Sequence, residues 1–207
     1  MIFIYGDSHG VFSFKNLSLN HKNYSTFSIT MNRIGRDNII INYNKDEVQE
    51  KNENESNIII LVYGEVDCRC HIKNQINIKN INEDEIINDL VYSYFRTIKN
   101  NISNNIKIII VAVIPPIKQS IYESKHGPIT HEYPFKGTDE ERIKYTNKVN
   151  NLLEKLSIEN NYIFFNPYKY YTGDDGILIP ELSDDNVHIG NNSHILEKFM
   201  ELYNSIK

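Results

Sequence analysis

Two stretches of the chain, Ile58-Ile59-Ile60-Leu61-Val62-Tyr63 and Ile106 to Ile114, are apolar almost without interruption. A strand covered on one face alternates apolar and polar residues; continuous runs of this kind belong to strands of a parallel sheet covered on both faces. Gly64 closes the first run, and Pro115-Pro116 closes the second, because proline has no N–H to offer a ladder. Ile2-Phe3-Ile4-Tyr5, ended by Gly6, is a shorter run of the same type.

Helical signals fall between these runs. Glu83 to Asn101 carries Ile86, Leu90, Tyr94 and Ile98 at helical spacing, with Asn82 as N-cap. Thr138 and Glu141 form a capping-box pattern that opens a helix through Leu152, Leu153 and Leu156, and Ser193 to Ile206 reads as a closing helix. Tyr24 to Thr30 is β-branched and aromatic, a second strand, and Tyr162 to Phe165 is the last one. Asn44 to Asn57 is polar and reads as a loop or short surface helix; residues 115–137 form a long irregular insert.

Strands alternating with helices predict an α/β fold of three layers, α/β/α, around a mostly parallel sheet of about five strands. With 207 residues, 40% hydrophobic and 24% charged, and with no repeat or linker, the chain reads as a single domain spanning 1–207. Twenty-two basic against twenty-seven acidic residues, without a long block of either sign, speak against nucleic acid as a partner. No stretch is apolar enough for a membrane span, and Met1 to Tyr5 is too short for a signal peptide, so no membrane role and a cytoplasmic location are expected. Cys68 and Cys70 are too close for an ordinary disulfide and, with His71, lack a second Cys/His pair to complete a metal set.

In an open parallel sheet, ligands bind beyond the carboxyl ends of the strands. Three polar clusters fall there or late in the chain: Gly6-Asp7-Ser8-His9-Gly10, Gly64-Glu65-Val66-Asp67-Cys68-Arg69, and Asp185-Asn186-Val187-His188. A serine just past a first strand, turning into a helix, lies beside unpaired backbone N–H groups able to hold an oxyanion. Serine needs a base to become a nucleophile, and the base needs a third group to fix its tautomer. Asp185 and His188, three residues apart, are candidates for both tasks. The bland alternative for Ser8 is a helix cap.

Gly6-Asp7-Ser8-His9 resembles the first block of the SGNH (GDSL-like) hydrolases, and Asp185-x-x-His188 resembles their last, set before a C-terminal helix. Gly64-Glu65-Val66-Asp67 is similar to the third block, Gly-x-Asn-Asp, and Gly35 falls where the family has an oxyanion-hole glycine. The resemblance implies the flavodoxin-like SGNH fold and a carboxylic ester hydrolase without a cofactor. Ser8 would be the nucleophile, His188 the base and Asp185 its orienting carboxylate. The family's range points to a small-molecule or glycan ester as substrate, with O-acetyl groups on a carbohydrate as the first choice.

Val66 departs from the pattern, since the family's asparagine donates to the oxyanion there and valine has no donor. Arg69 is the expected substitute. Asp67 and Arg69 are equally readable as a structural ion pair, and Glu65 shares the ambiguity. Competing functions are an acyltransferase to sugar hydroxyls using the same serine, and a non-catalytic carbohydrate- or protein-binding domain. A third is a calcineurin-like phosphoesterase, to whose first metal motif Asp7-x-His9 is similar. Tyr122, His126, His131 and Tyr133 in the insert either line a cleft or only stabilise the loop.

Overall fold

A computed structural model of the chain describes residues 1–49, 57–130 and 132–207. Its centre is a five-stranded sheet in the order β2-β1-β3-β4-β5, formed by β1 (Ile2–Gly6), β2 (His21–Asn23), β3 (Ile58–Val62), β4 (Lys107–Val111) and β5 (Ile163–Phe165). Every pairing is parallel, with Ile2 opposite both His21 and Ile58, and Ile58 opposite Lys107. The continuous apolar runs are thus strands buried on both faces, as their composition requires: β1 and β3 are buried along their whole lengths.

Because successive side chains point to opposite faces, each strand feeds two cores. Phe3, Tyr5, Ile59, Leu61, Ile108 and Ile110 face a core completed by α2 (Met31–Asp37), α5 (Glu83–Asn101) and α7 (Asp139–Glu159). Ile2, Ile4, Ile58, Ile60, Ile109 and Val111 face the other, closed by Phe14, which ends α1 (Ser8–Ser13), and by Ile195 and Phe199 of α8 (Ser193–Ile206). These are the three expected layers. The caps sit where the sequence places them: Asn82 accepts from Glu85 N, and Thr138 and Glu141 close a reciprocal capping box. Asn150 of α7 reaches past the end of β4, accepting from Val113 N at 2.7 Å and donating to Val113 O at 2.9 Å. It thus pairs both backbone groups of Val113 beyond the end of the strand.

Several elements differ from expectation. The second strand is His21–Asn23, not Tyr24 to Thr30, although Tyr24 N and Thr26 N still donate to Ile4 O and Gly6 O of β1. Charged and polar residues suit this strand because it forms the sheet's edge, while Tyr24 stacks on Tyr5 across 5.5 Å. Lys45–Gln49 forms a short helix, α3; the rest of the polar stretch up to residue 56 lies outside the described residues, as does His131. The segment after β3 is helical, a π-helical turn Asp67–His71 leading into α4 (Ile72–Lys79), and the insert contains α6 (Gln119–His126). Both cysteines are free. No helix among the described residues is long and apolar enough to cross a membrane.

The polypeptide leaves β3 through Gly64, whose φ of +119° is a conformation that side chains with a Cβ rarely adopt. A Cβ there would stand 2.7 Å from Val113 Cγ2 and 3.0 Å from Met31 Cε. Gly64→Ala is therefore expected to destabilise the fold by about 3 kcal/mol, from backbone strain plus overpacking. Urea unfolding measures this; a loss under about 1 kcal/mol would show that the turn relaxes freely.

Candidate active site

In a sheet of order 2-1-3-4-5 the topological switch point lies between β1 and β3, and the crevice at their carboxyl ends is where such folds bind ligands. Both polar clusters that follow β1 and β3 open onto it. Asp7 is the N-cap of α1, its side chain accepting from His9 N at 2.8 Å. Ser8 is therefore the first residue of α1, and its amide has no acceptor within the helix. Ser8 is 8% exposed.

Its hydroxyl meets an imidazole from the far end of the chain. His188 Nε2 lies 2.9 Å from Ser8 Oγ, and His188 Nδ1 lies 2.9 Å from Asp184 Oδ2. The other oxygen of Asp184 accepts from Asn186 N at 2.9 Å and from His188 N at 3.1 Å, so the carboxylate is locked to the loop it serves. The hydrogen bond from His188 and the nearby ring outweigh burial and hold the Asp184 carboxyl below its ordinary value. Burial, joined by the charge of His9, pushes His188 below its ordinary value against the pull of Asp184. A neutral imidazole between a hydroxyl and an ionised carboxylate is arranged to accept a proton from that hydroxyl.

The carboxylate bonded to the His188 ring is thus Asp184 and not the expected Asp185. Asp185 has a left-handed backbone, φ 67°, which turns its side chain outward to Lys125 at 2.5 Å while its carbonyl accepts from His126 Nε2 at 2.6 Å. One extra residue in the loop lets Asp184, four positions before His188, curl back onto the ring. Gly35 is also not at the site. It lies within α2 against α5, where a Cβ would be 2.2 Å from Ser93 Oγ, so its task is close helix packing.

Arg69, the expected replacement for an oxyanion donor, is committed elsewhere. Its Nε and Nη2 donate to Glu65 Oε1 and Oε2 at 2.7 and 3.1 Å, and its Nη1 donates to Tyr133 O of the insert. Asp67 is wholly buried and accepts from Met31 N at 2.7 Å and Asn32 N at 3.2 Å, tying the segment after β3 to the start of α2. Burial pushes its carboxyl up to about 7, with those two amides opposing. Glu65 turns toward the segment after β1, 3.1 Å from His9 Nε2. Val66 is buried and offers no donor.

Asp7 and His9, which would open a dinuclear metal centre, are instead engaged with the α1 cap and with Glu65. Among the described residues no group of three or more His, Cys, Asp and Glu is placed to hold a metal ion. Two parts of the insert make contacts near the site: Lys125 and His126 of α6 hold Asp185, and Tyr133 donates to Ser28 O at 3.3 Å. Sequence reasoning missed Asp184, and its only signal was an acidic residue beside the one that fits the motif.

No family model and no curated protein matches the chain. Solved structures do, over nearly its whole length. They include a GDSL-like lipase from Bacteroides thetaiotaomicron, 15% identical, TM-score 0.54, covering 100% of this chain and 88% of that one. A member of the lipolytic protein G-D-S-L family from Veillonella parvula is 14% identical, TM-score 0.54, with 98% and 97% covered. TesA is 9% identical at TM-score 0.56, with 100% and 99% covered. The chain has the fold of the GDSL-like (SGNH) hydrolases.

Proposed function

We propose that this protein is a serine-dependent carboxylic ester hydrolase, with Ser8 as nucleophile, His188 as general base and acid, and Asp184 as the carboxylate that orients His188. The observation that carries this reading is the unbroken relay from Ser8 Oγ through His188 to Asp184, both links 2.9 Å. Ser8 Oγ attacks the ester carbonyl while His188 Nε2 takes its proton. The Ser8 amide, at the positive end of α1, faces the oxyanion that develops. Collapse of the tetrahedral intermediate expels the alcohol, which receives the proton from His188, and water then releases the acyl group by the same steps in reverse.

As substrate we put O-acetyl groups on a carbohydrate first. The insert carries two half-buried tyrosines: Tyr122 packs on His126, whose Nε2 donates to Asp185 O beside the relay, and Tyr133 donates to Ser28 O. Few aromatic surfaces with convergent polar groups are what a small polar ligand needs for orientation. The reading is tested with the whole chain in EDTA: p-nitrophenyl acetate is expected to be turned over, and a fluorophosphonate to modify Ser8 stoichiometrically and stop turnover. Labelling at another residue, or turnover lost with the chelator, would replace this mechanism by another.

A further inference from the structure

His188 is supported by more than its two hydrogen bonds. Phe12 lies almost parallel to its ring, centroids 4.2 Å apart at 15°, and His9 packs on it at 4.8 Å and 49°. Phe12 and His9 are three residues apart on α1 and so share one helix face. Together they form a shelf under the imidazole. His9 Nδ1 has no hydrogen-bond partner among the described residues, so among them the ring's hydrogen bonding rests on the Nε2 contact to Glu65. Glu65 is fixed in turn by two bonds from Arg69. His9, Glu65 and Arg69 are all buried, and the relay does not use them.

We propose that His9 is a positioning residue for His188, set in place by the Glu65–Arg69 pair: its ring, 4.8 Å from the imidazole, supports the base beneath Ser8 and is electrostatically coupled to it. This rests on the serine-hydrolase reading above. The charged groups facing His9 are Asp7 from the nucleophile turn, Glu65 and Arg69 from the segment after β3, and His188 from the catalytic loop. Burial opposes a charge on His9, but the carboxylates of Asp7 and Glu65 outweigh it and hold its pKa above the ordinary value. Facing His188 are Asp184, His9 and, further off, Glu65. Like charges at this range disfavour each other. A base whose pKa is lowered is neutral, and so active, down to a lower pH; taking away the charge of His9 raises the pKa of His188 and moves the acid limb of activity upward.

Two variants separate ring from charge. His9→Phe keeps a ring on the shelf and removes the charge; His9→Gln keeps a donor for Glu65 and removes both ring and charge. The titration of His188, followed by NMR of its imidazole, is expected to rise by about one pH unit in both variants, and the acid limb of kcat/KM to move with it. His9→Gln is further expected to lower kcat about tenfold with KM nearly unchanged, because the base loses its support. If His188 titrates at the wild-type pH in whichever variant retains the wild-type melting profile, the proposal is wrong. The NMR readout needs no turnover. Failure of Ser8 labelling in the wild type therefore sinks the hydrolase reading separately from the coupling between the two histidines.

Discussion

Ser8→Ala is expected to lower kcat for p-nitrophenyl acetate about 10⁶-fold, to the level left by binding and the oxyanion donor alone. The size follows from the chemistry: without Oγ no acyl-enzyme forms, and the aligned His188–Asp184 pair has nothing to deprotonate. The fold is expected to survive. A serine in this place is commonly a helix cap, but here Asp7 holds that office through His9 N, and the hydroxyl of Ser8 bonds to His188. Removing one oxygen from such a site changes stability by about 1 kcal/mol or less, so the melting temperature of Ser8→Ala is expected within a few degrees of wild type. A variant that melts normally yet keeps more than about a tenth of the rate would place the nucleophile elsewhere.

The sheet was legible because its signal is local. Runs such as Ile58 to Tyr63 admit few structures other than a doubly covered strand, and the caps at Asn82 and Thr138 act through their own backbone neighbours. The edge strand lies just before the expected segment, without overlap, because His21-Lys22-Asn23 is held by β1 rather than by its own propensity, and the aromatic residues after it are attractive for packing reasons. That Ser8 and His188 belong together was legible from the motifs, and their side chains meet at 2.9 Å. The roles of Gly35 and Arg69 were not, since each is decided by a partner distant in sequence: Ser93 fills the space beside Gly35, and Tyr133 of the insert takes the last nitrogen of Arg69. Asp184 was hidden for a different reason. Which of two adjacent carboxylates reaches an imidazole depends on one backbone torsion, and the left-handed turn at Asp185 is not written in residue type.

That torsion sets up the second large effect, a comparison of Asp184→Asn with Asp185→Asn. Asp184→Asn is expected to reduce kcat about 10⁴-fold, because an amide in that place no longer favours the His188 tautomer that leaves Nε2 free to accept, nor stabilises the imidazolium once it forms. The carboxylate's pull on the imidazole proton also disappears, and since Asp184 raises the pKa of His188, its removal lowers that pKa further. The acid limb of kcat/KM is then expected to move to lower pH while the plateau collapses, the opposite direction from the His9 variants. Asp185→Asn removes only a contact with Lys125 between side chains 65% and 46% exposed. Pairs of that kind contribute about 1 kcal/mol at most, so its rate is expected within about threefold of wild type. The reverse ranking would mean that the loop rearranges when substrate binds and brings Asp185 inward. The φ of 67° argues against this, because swinging that side chain to the ring would require re-forming the turn that Asp184 itself holds through Asn186 N and His188 N.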